Sequence, residues 1–449
     1  MAEEKKVTRR NYVKYAGAGI VVVAGAAAGA YYMSQPSQPP TPPTEKVTLK
    51  VLWEDLEYYP KWFQLFEQKN PDIKIEYLPT EWAAINDKVV QDNMSGAQYS
   101  LYDIVEVGMY NAPKFAQIGY IQPLDDKFIT QQQKDLLLLG AQDAFIFEGK
   151  TYAVNMEAGM AVMHSNKQML ADAGFTRPPA TYTEVYEYSK KLTKTISGRN
   201  VYGLIMDWAD DNFWFEFCQG LSAFGGSMYD DKTGVPTFNQ EPGQRYVEWM
   251  RKMYTEGLVN PDSITTDSSG TKFRIYVTGT GAITWGYAGV GNSFAEDPSK
   301  STIVGQNQMS LCPGEVAKST SSIYDNGPSI PTKLDPAKED AVKRFLAYCF
   351  DPEGADALIR DASGPAPLKA VYAKSDEYAK ILPWFDLVKE AYNYPHPLWN
   401  RPWFQELIHV LNFTVKLAVT GEKPVKDALD QGAKELLKIM VDNYGFKAP

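Results

Sequence analysis

From residue 46 onward, apolar residues recur with two alternating periods. Val47-Thr48-Leu49-Lys50-Val51-Leu52-Trp53 has the alternation of a strand. Trp62, Phe63, Leu65 and Phe66 then fall at helical spacing, and Asn70-Pro71 stops that helix. Ile73, Ile75 and Tyr77 alternate again as a second strand, and residues 81–95 read as a helix. Tyr102-Asp103-Ile104-Val105-Glu106-Val107 is a third strand, followed by a helix from Ala112 to Ile118 that Gly119 ends. Repeated strand–helix–strand units predict an α/β protein with a mostly parallel sheet covered by helices.

The first 44 residues follow a different pattern. Thr8-Arg9-Arg10-Asn11-Tyr12-Val13-Lys14 resembles the twin-arginine export motif, a receptor-read address. An uncharged apolar run from Tyr15 to Tyr32 comes next, about long enough as a helix to cross a thin bilayer. The Pro-rich stretch Gln35–Pro43 predicts an extended spacer. Residues 1–34 therefore read as a signal or anchor and 35–44 as a linker. The folded body is expected outside the membrane, tethered by the apolar helix or released by cleavage near Ala30.

Composition narrows the function class. The 449 residues carry a net charge of −10, which argues against a nucleic-acid surface. Three Cys (Cys218, Cys312, Cys349) permit at most one disulfide, and three His show no metal-pair spacing, so no metal or cofactor is expected. Aromatic residues make up 13% of the chain, enough for large cores or for a cleft lined with flat rings.

Ordered landmarks along the body resemble the family 1 extracellular solute-binding proteins of ABC importers, the maltose-binding-protein-like group. They run from Leu49-Lys50-Val51-Leu52-Trp53-Glu54 through Asn70-Pro71-Asp72-Ile73-Lys74-Ile75 and Phe115–Asp125 to Gly149-Lys150-Thr151-Tyr152-Ala153-Val154. Val162–Lys167, Ala173-Gly174-Phe175, Gly279–Trp285 and Phe345-Leu346-Ala347-Tyr348 continue the series. The resemblance implies a two-lobed periplasmic-binding-protein-like fold (type II) with three hinge crossings, near Asn155–Gly159, Leu311–Gly314 and Ser363–Pro367. The lobes would be 45–156 plus 313–364, and 157–312 plus 365–449. It also implies a monomer that hands its solute to ABC permease subunits in the membrane.

No catalytic motif emerges. Gly149-Lys150-Thr151 looks like the end of a phosphate-binding loop, but Ala144 stands where its first Gly is needed. Carboxylate pairs such as Asp125-Asp126 and Asp210-Asp211 read as solvated loops or caps. No catalytic residue is assigned. A secreted hydrolase acting on sugar polymers, a surface adhesive protein and a peptide-binding version of the same fold are the rival readings.

Ligands of open α/β sheets bind beyond the carboxyl ends of strands. The residues there are Trp53-Glu54-Asp55, Tyr110-Asn111, Asp207-Trp208, Trp285 with Tyr287, and, past the second crossing, Tyr324-Asp325. Glu157 lies at the first crossing, where the resemblance implies a sugar-contacting carboxylate. An aromatic ring beside a carboxylate or amide suits a mono- or oligosaccharide. Its C–H face lies on the ring and its hydroxyls meet the polar neighbour. These twelve residues form the candidate ligand site. Trp62 and Trp249 lie inside helices and read as core, whereas Trp399 and Trp403 are candidates to cap the cleft.

Overall fold

The structure is a computed structural model describing residues 46–56, 59–138, 141–209, 213–230, 232–266, 268–318, 322–361, 366–394 and 401–448. The export segment, the Pro-rich stretch and Trp399 lie outside the described residues. Among the described residues, no helix is long and apolar enough to cross a membrane.

Eleven strands are described: β1 (Val47–Glu54), β2 (Ile73–Thr80), β3 (Ile104–Gly108), β4 (Ile146–Phe147), β5 (Lys150–Thr151), β6 (Glu157–Asn166), β7 (Lys194–Ile196), β8 (Arg199–Leu204), β9 (Gly281–Tyr287), β10 (Asn307–Leu311) and β11 (Ser322–Ser329). β4 and β5 form a small ribbon. The others hydrogen-bond in the order β2-β1-β3-β11-β6-β9-β8-β7, with β10 also paired to β6. β1 is parallel to both β2 and β3 because the helices Tyr59–Lys69 and Trp82–Met94 form the crossovers.

Alternation along β1 decides where its side chains go. Leu49, Val51 and Trp53 enter one apolar core with Trp62, Phe66, Ile73 and Phe345, while Leu52 faces the opposite side with Val89 and Phe115. Every residue of β3 is buried, as expected of an inner strand covered on both faces. The second lobe is built on β6, β8 and β9 with the helices Tyr182–Leu192, Phe213–Ala223, Glu241–Thr255, Phe404–Val419 and Val425–Tyr444.

Two adjacent antiparallel strands join the lobes. The start of β6 pairs with the first half of β11, and the last four residues of β11 pair with β3. Gly327 is required there. A Cβ on it would stand 1.7 Å from the Val154 carbonyl oxygen, so a side chain would push the two crossing strands apart.

β6 begins inside the first expected crossing, Asn155–Gly159, and the second expected crossing, Leu311–Gly314, follows β10. Cys312-Pro313-Gly314 ends β10, yet Gly314 then exchanges backbone hydrogen bonds with Ala180 and Tyr182, and Val316 donates to the Ala223 carbonyl. This stretch therefore packs with the second lobe, and the return is made by β11. Of the third expected crossing, Ser363–Pro367, residues 363–365 lie outside the described residues. Ala366, Leu368, Tyr372 and Phe385 remain in the first lobe's core, and Trp403 and Phe404 are the next described residues packed with the second lobe. Between them, Trp384, Val388 and Ala391 pack on Met160, Val162 and Leu311 beside the joining strands.

Candidate functional site

At the end of β3, Gly108, Met109, Tyr110 and Asn111 bend into the short helix Ala112–Gln117. Met109 is buried. The half-buried Tyr110 ring reaches across to the second lobe. It stacks on Phe404 at 5.1 Å and 23°, lies 6.4 Å from Trp214, and meets the first lobe's Trp82 edge-on at 5.7 Å. Trp214 and Phe404 are themselves T-shaped at 5.4 Å. Tyr110 thus joins aromatic faces supplied by both lobes.

Polar groups of the first lobe flank these rings. Glu106 is fully buried on β3, and its carboxylate accepts from the Glu54 backbone N–H (2.7 Å), the Tyr59 hydroxyl (3.4 Å) and Asn326 Nδ2 (3.3 Å). It ties the end of β1 to the joining strand β11. Glu54 is half-buried and its carbonyl accepts from the Tyr77 hydroxyl, while Asp55 is exposed. Burial, aided by the charges of Asp55, Glu106 and Glu54, pushes the Tyr77 hydroxyl up to about 12. Anions would meet an unfavourable field here.

The structure separates the sequence candidates. Tyr110 and Asn111 sit at the lobe contact, and Glu54 is linked to it through Glu106. Trp53 does not reach it. It is fully buried in the first lobe's core against Tyr59, Phe63 and Phe345, because it shares the strand face of Leu49 and Val51. Trp285 packs on Tyr182 and Trp249 inside the second lobe. Trp208 is buried and its backbone N–H donates to the Ser263 carbonyl. Tyr287 is half-buried at the start of the helix Ala288–Ala295. Glu157, Tyr324 and Asp325 lie on the joining strands, where Glu157 pairs with Asn326, Asp325 with Ala158 and Tyr324 with Gly159. Trp62 is a core residue, Trp249 is half-buried against the second lobe's core with its Nε1 donating to the Tyr182 carbonyl, and Trp403 is held inside the second lobe, its Nε1 donating to the Tyr229 hydroxyl.

Asp207 is committed elsewhere. Its carboxylate pairs with Lys272 Nζ at 2.6 Å, and the same ammonium contacts Glu216 at 2.9 Å, with all three side chains essentially inaccessible. Burial, together with the charge of Asp207, pushes the Glu216 carboxyl well up against the pull of Lys272. Burial opposes the Lys272 charge, but the two carboxyls outweigh it and raise its pKa. A buried cation between two carboxyls favours a proton on one of them, and the upward shift falls on Glu216. The trio fixes the first turn of the helix that carries Trp214. Nearby, burial lowers His164 to about 4, with Lys272 adding to the shift, so this imidazole is neutral.

Trp82, Glu106, Phe404 and the role of Asn326 escape the strand-end rule. Glu106 still had a signal, a lone charge inside the apolar run of an inner strand, where it must find partners. Phe404 had none, because its contact is set by tertiary placement of a distant helix. Among the described residues, no group of three or more His, Cys, Asp or Glu is arranged to hold a metal, and the three Cys are buried and unpaired.

A two-lobed α/β body joined by paired strands, with rings from both lobes meeting at the ends of parallel strands, defines a binding protein that closes on a solute. The chain belongs to the bacterial extracellular solute-binding protein family, whose model matches residues 61–381. It is 22% identical over 356 residues to the mannitol-binding protein of Pseudomonas aeruginosa, covering 77% of this chain and 78% of that one. In fold it is similar to maltose-bound MalE3 of T. maritima, with a TM-score of 0.73 and 19% identity over 88% of this chain and all of that one. It is similar also to an ABC substrate-binding protein from Listeria monocytogenes in complex with cycloalternan, with a TM-score of 0.75 and 18% identity over 90% of this chain and all of that one.

Proposed function

We propose that this protein captures a neutral polyhydroxylated solute, a sugar or sugar alcohol, between its lobes and presents it to an ABC permease. The observation that carries the reading is the stack of Tyr110 on Phe404 beside Trp214, which places aromatic faces from both lobes at one point. The C–H face of a sugar or alditol lies well on such rings, and the flanking amides and carboxylates bond its hydroxyls. The relatives whose names state mannitol, maltose and cycloalternan as ligands support the same chemistry. Closure about β6 and β11 is then the state whose population the ligand raises, and the permease reads it.

The reading includes no turnover. Glycoside hydrolysis needs two carboxyl groups flanking a bond, one of them with a raised pKa, and Glu216, the described carboxyl held well up, is committed to Lys272. The export-like segment at residues 8–32 supports placement outside the membrane with a tether, with permease subunits as partners.

The test is a melting screen of the purified protein against neutral mono- and oligosaccharides, alditols and short peptides. A ligand at 100 times its dissociation constant adds about 2.7 kcal/mol of stability. Stabilisation by a sugar or alditol, recovered chemically intact, is the expected result. Stabilisation by peptides alone, or hydrolysis of an oligosaccharide, overturns it.

A further inference from the structure

We propose that Asn326 and Asn111, placed around Gly108, form an acceptor–donor pair that reads one ligand hydroxyl at the junction of the lobes; this rests on the polyol reading above. Asn326 is fully buried on β11, directly across from Gly108. Its Nδ2 faces the Glu106 carboxylate at 3.3 Å, which can only accept, so the amide orientation is fixed and Oδ1 is left over. That Oδ1 is buried and has no hydrogen-bond partner.

Asn111 presents the complementary half. It is 3% exposed, and its Oδ1 accepts from the Gly108 N–H at 2.8 Å. An N–H can only donate, so this amide is also fixed, and the buried Nδ2 has no partner. Two buried amides, each tied by one atom and unsatisfied at the other, thus flank the same residue. Native proteins seldom leave such groups unpaired.

Gly108 permits a close approach. It is not among the glycines with positive φ, so backbone conformation does not require it. A Cβ there would stand 3.1 Å from Asn326 Oδ1, 3.1 Å from the Trp82 ring and 3.2 Å from the Tyr110 ring. The missing side chain lets the acceptor and both rings converge on one spot.

One free acceptor and one free donor match a hydroxyl, which donates to Asn326 Oδ1 while accepting from Asn111 Nδ2. A carboxylate offers no proton to the acceptor and would be repelled by Glu106 and Glu54. An ammonium offers nothing to the donor. Because the Asn326 backbone pairs with both Gly108 of β3 and Glu157 of β6, a ligand bond here bears on the joint between the lobes.

The test compares the wild-type protein with Asn111→Asp and Gly108→Ala, using D-mannitol, maltose and their deoxy analogues as titrants. Asn111→Asp keeps the acceptor for the Gly108 N–H and replaces the ligand-facing donor by an acceptor. Gly108→Ala crowds Asn326 Oδ1 and both rings. The expected result is tenfold or weaker binding of the hydroxylated titrant in both variants, each of which still unfolds cooperatively when ligand-free. The expected pattern also includes a deoxy analogue that binds wild type and Asn111→Asp alike. Wild-type affinity in a folded Asn111→Asp variant overturns the pair while leaving the polyol reading intact. Failure of the wild-type protein to bind any neutral polyol overturns both.

Discussion

Two buried clusters of this protein, one in each lobe, meet the same packing problem with different chemistry. The first lobe centres on a dry aromatic cluster, Trp53 with Tyr59, Trp62, Phe63 and Phe345. The second buries ions, with Lys272 between Asp207 and Glu216 and the neutral His164 nearby. Apolar burial responds weakly to pH, whereas every buried titratable group links folding to proton binding. The two clusters should therefore differ in how their contribution to stability answers to acid and base.

The largest effects expected are those of Lys272→Met and Trp53→Ala, each costing about 3–5 kcal/mol, the first by stranding buried carboxyls and the second by opening a cavity. Their pH dependence should separate them. The cost of Trp53→Ala should be equal at low and neutral pH in denaturant titrations. That of Lys272→Met should shrink on acidification, as the stranded Asp207 takes up a proton. Equal pH response in the two variants would break the comparison.

Next in size is the pH profile of the wild-type protein. His164 falls from 6.5 to about 4, so between these values the unfolded state binds the extra proton. Stability from this group is complete above pH 6.5 and declines as pH falls towards 4, by roughly 3 kcal/mol in all. Glu216 has the opposite sign. Its folded pKa is raised, so its contribution is complete below the ordinary carboxyl value of 4.5 and is lost as pH rises through the folded value. Melting measured across pH should accordingly flatten on the acid side in His164→Gln and on the alkaline side in Glu216→Gln. An unchanged acid limb in His164→Gln would contradict the assignment.

Much of the first lobe was legible because its pattern is local. The predicted strand at Val47–Trp53 is β1, and the helix expected over 81–95 is Trp82–Met94. The breaker cluster at Cys312-Pro313-Gly314 marked a strand end correctly but not a change of lobe, since the chain first bonds to Ala180, Tyr182 and Ala223. Breakers report where regular structure stops and carry no information on which body the next residues join. For the site, adjacency to a strand end was too coarse. The alternation of Leu49, Val51 and Trp53 already placed Trp53 on the core face, and the same period governs Ile283 and Trp285. Tyr110 follows β3 in a turn, where alternation no longer dictates direction. Its partners Trp214 and Phe404 are brought by helices far along the chain.

The smallest stability effect concerns the contact between the lobes. Tyr110→Leu should lower ligand-free stability by only about 0.5–1.5 kcal/mol, the worth of an aromatic pair beyond its buried area. Its effect on binding should be far greater, which makes it the sharpest probe of the proposed site. Calorimetric titration of the wild-type and Tyr110→Leu proteins with D-mannitol and maltose tests the central claim directly. The account predicts saturable binding of one equivalent to the wild-type protein and at least tenfold loss in the variant. Equal affinity in the two proteins, or heat only with peptides, would contradict it.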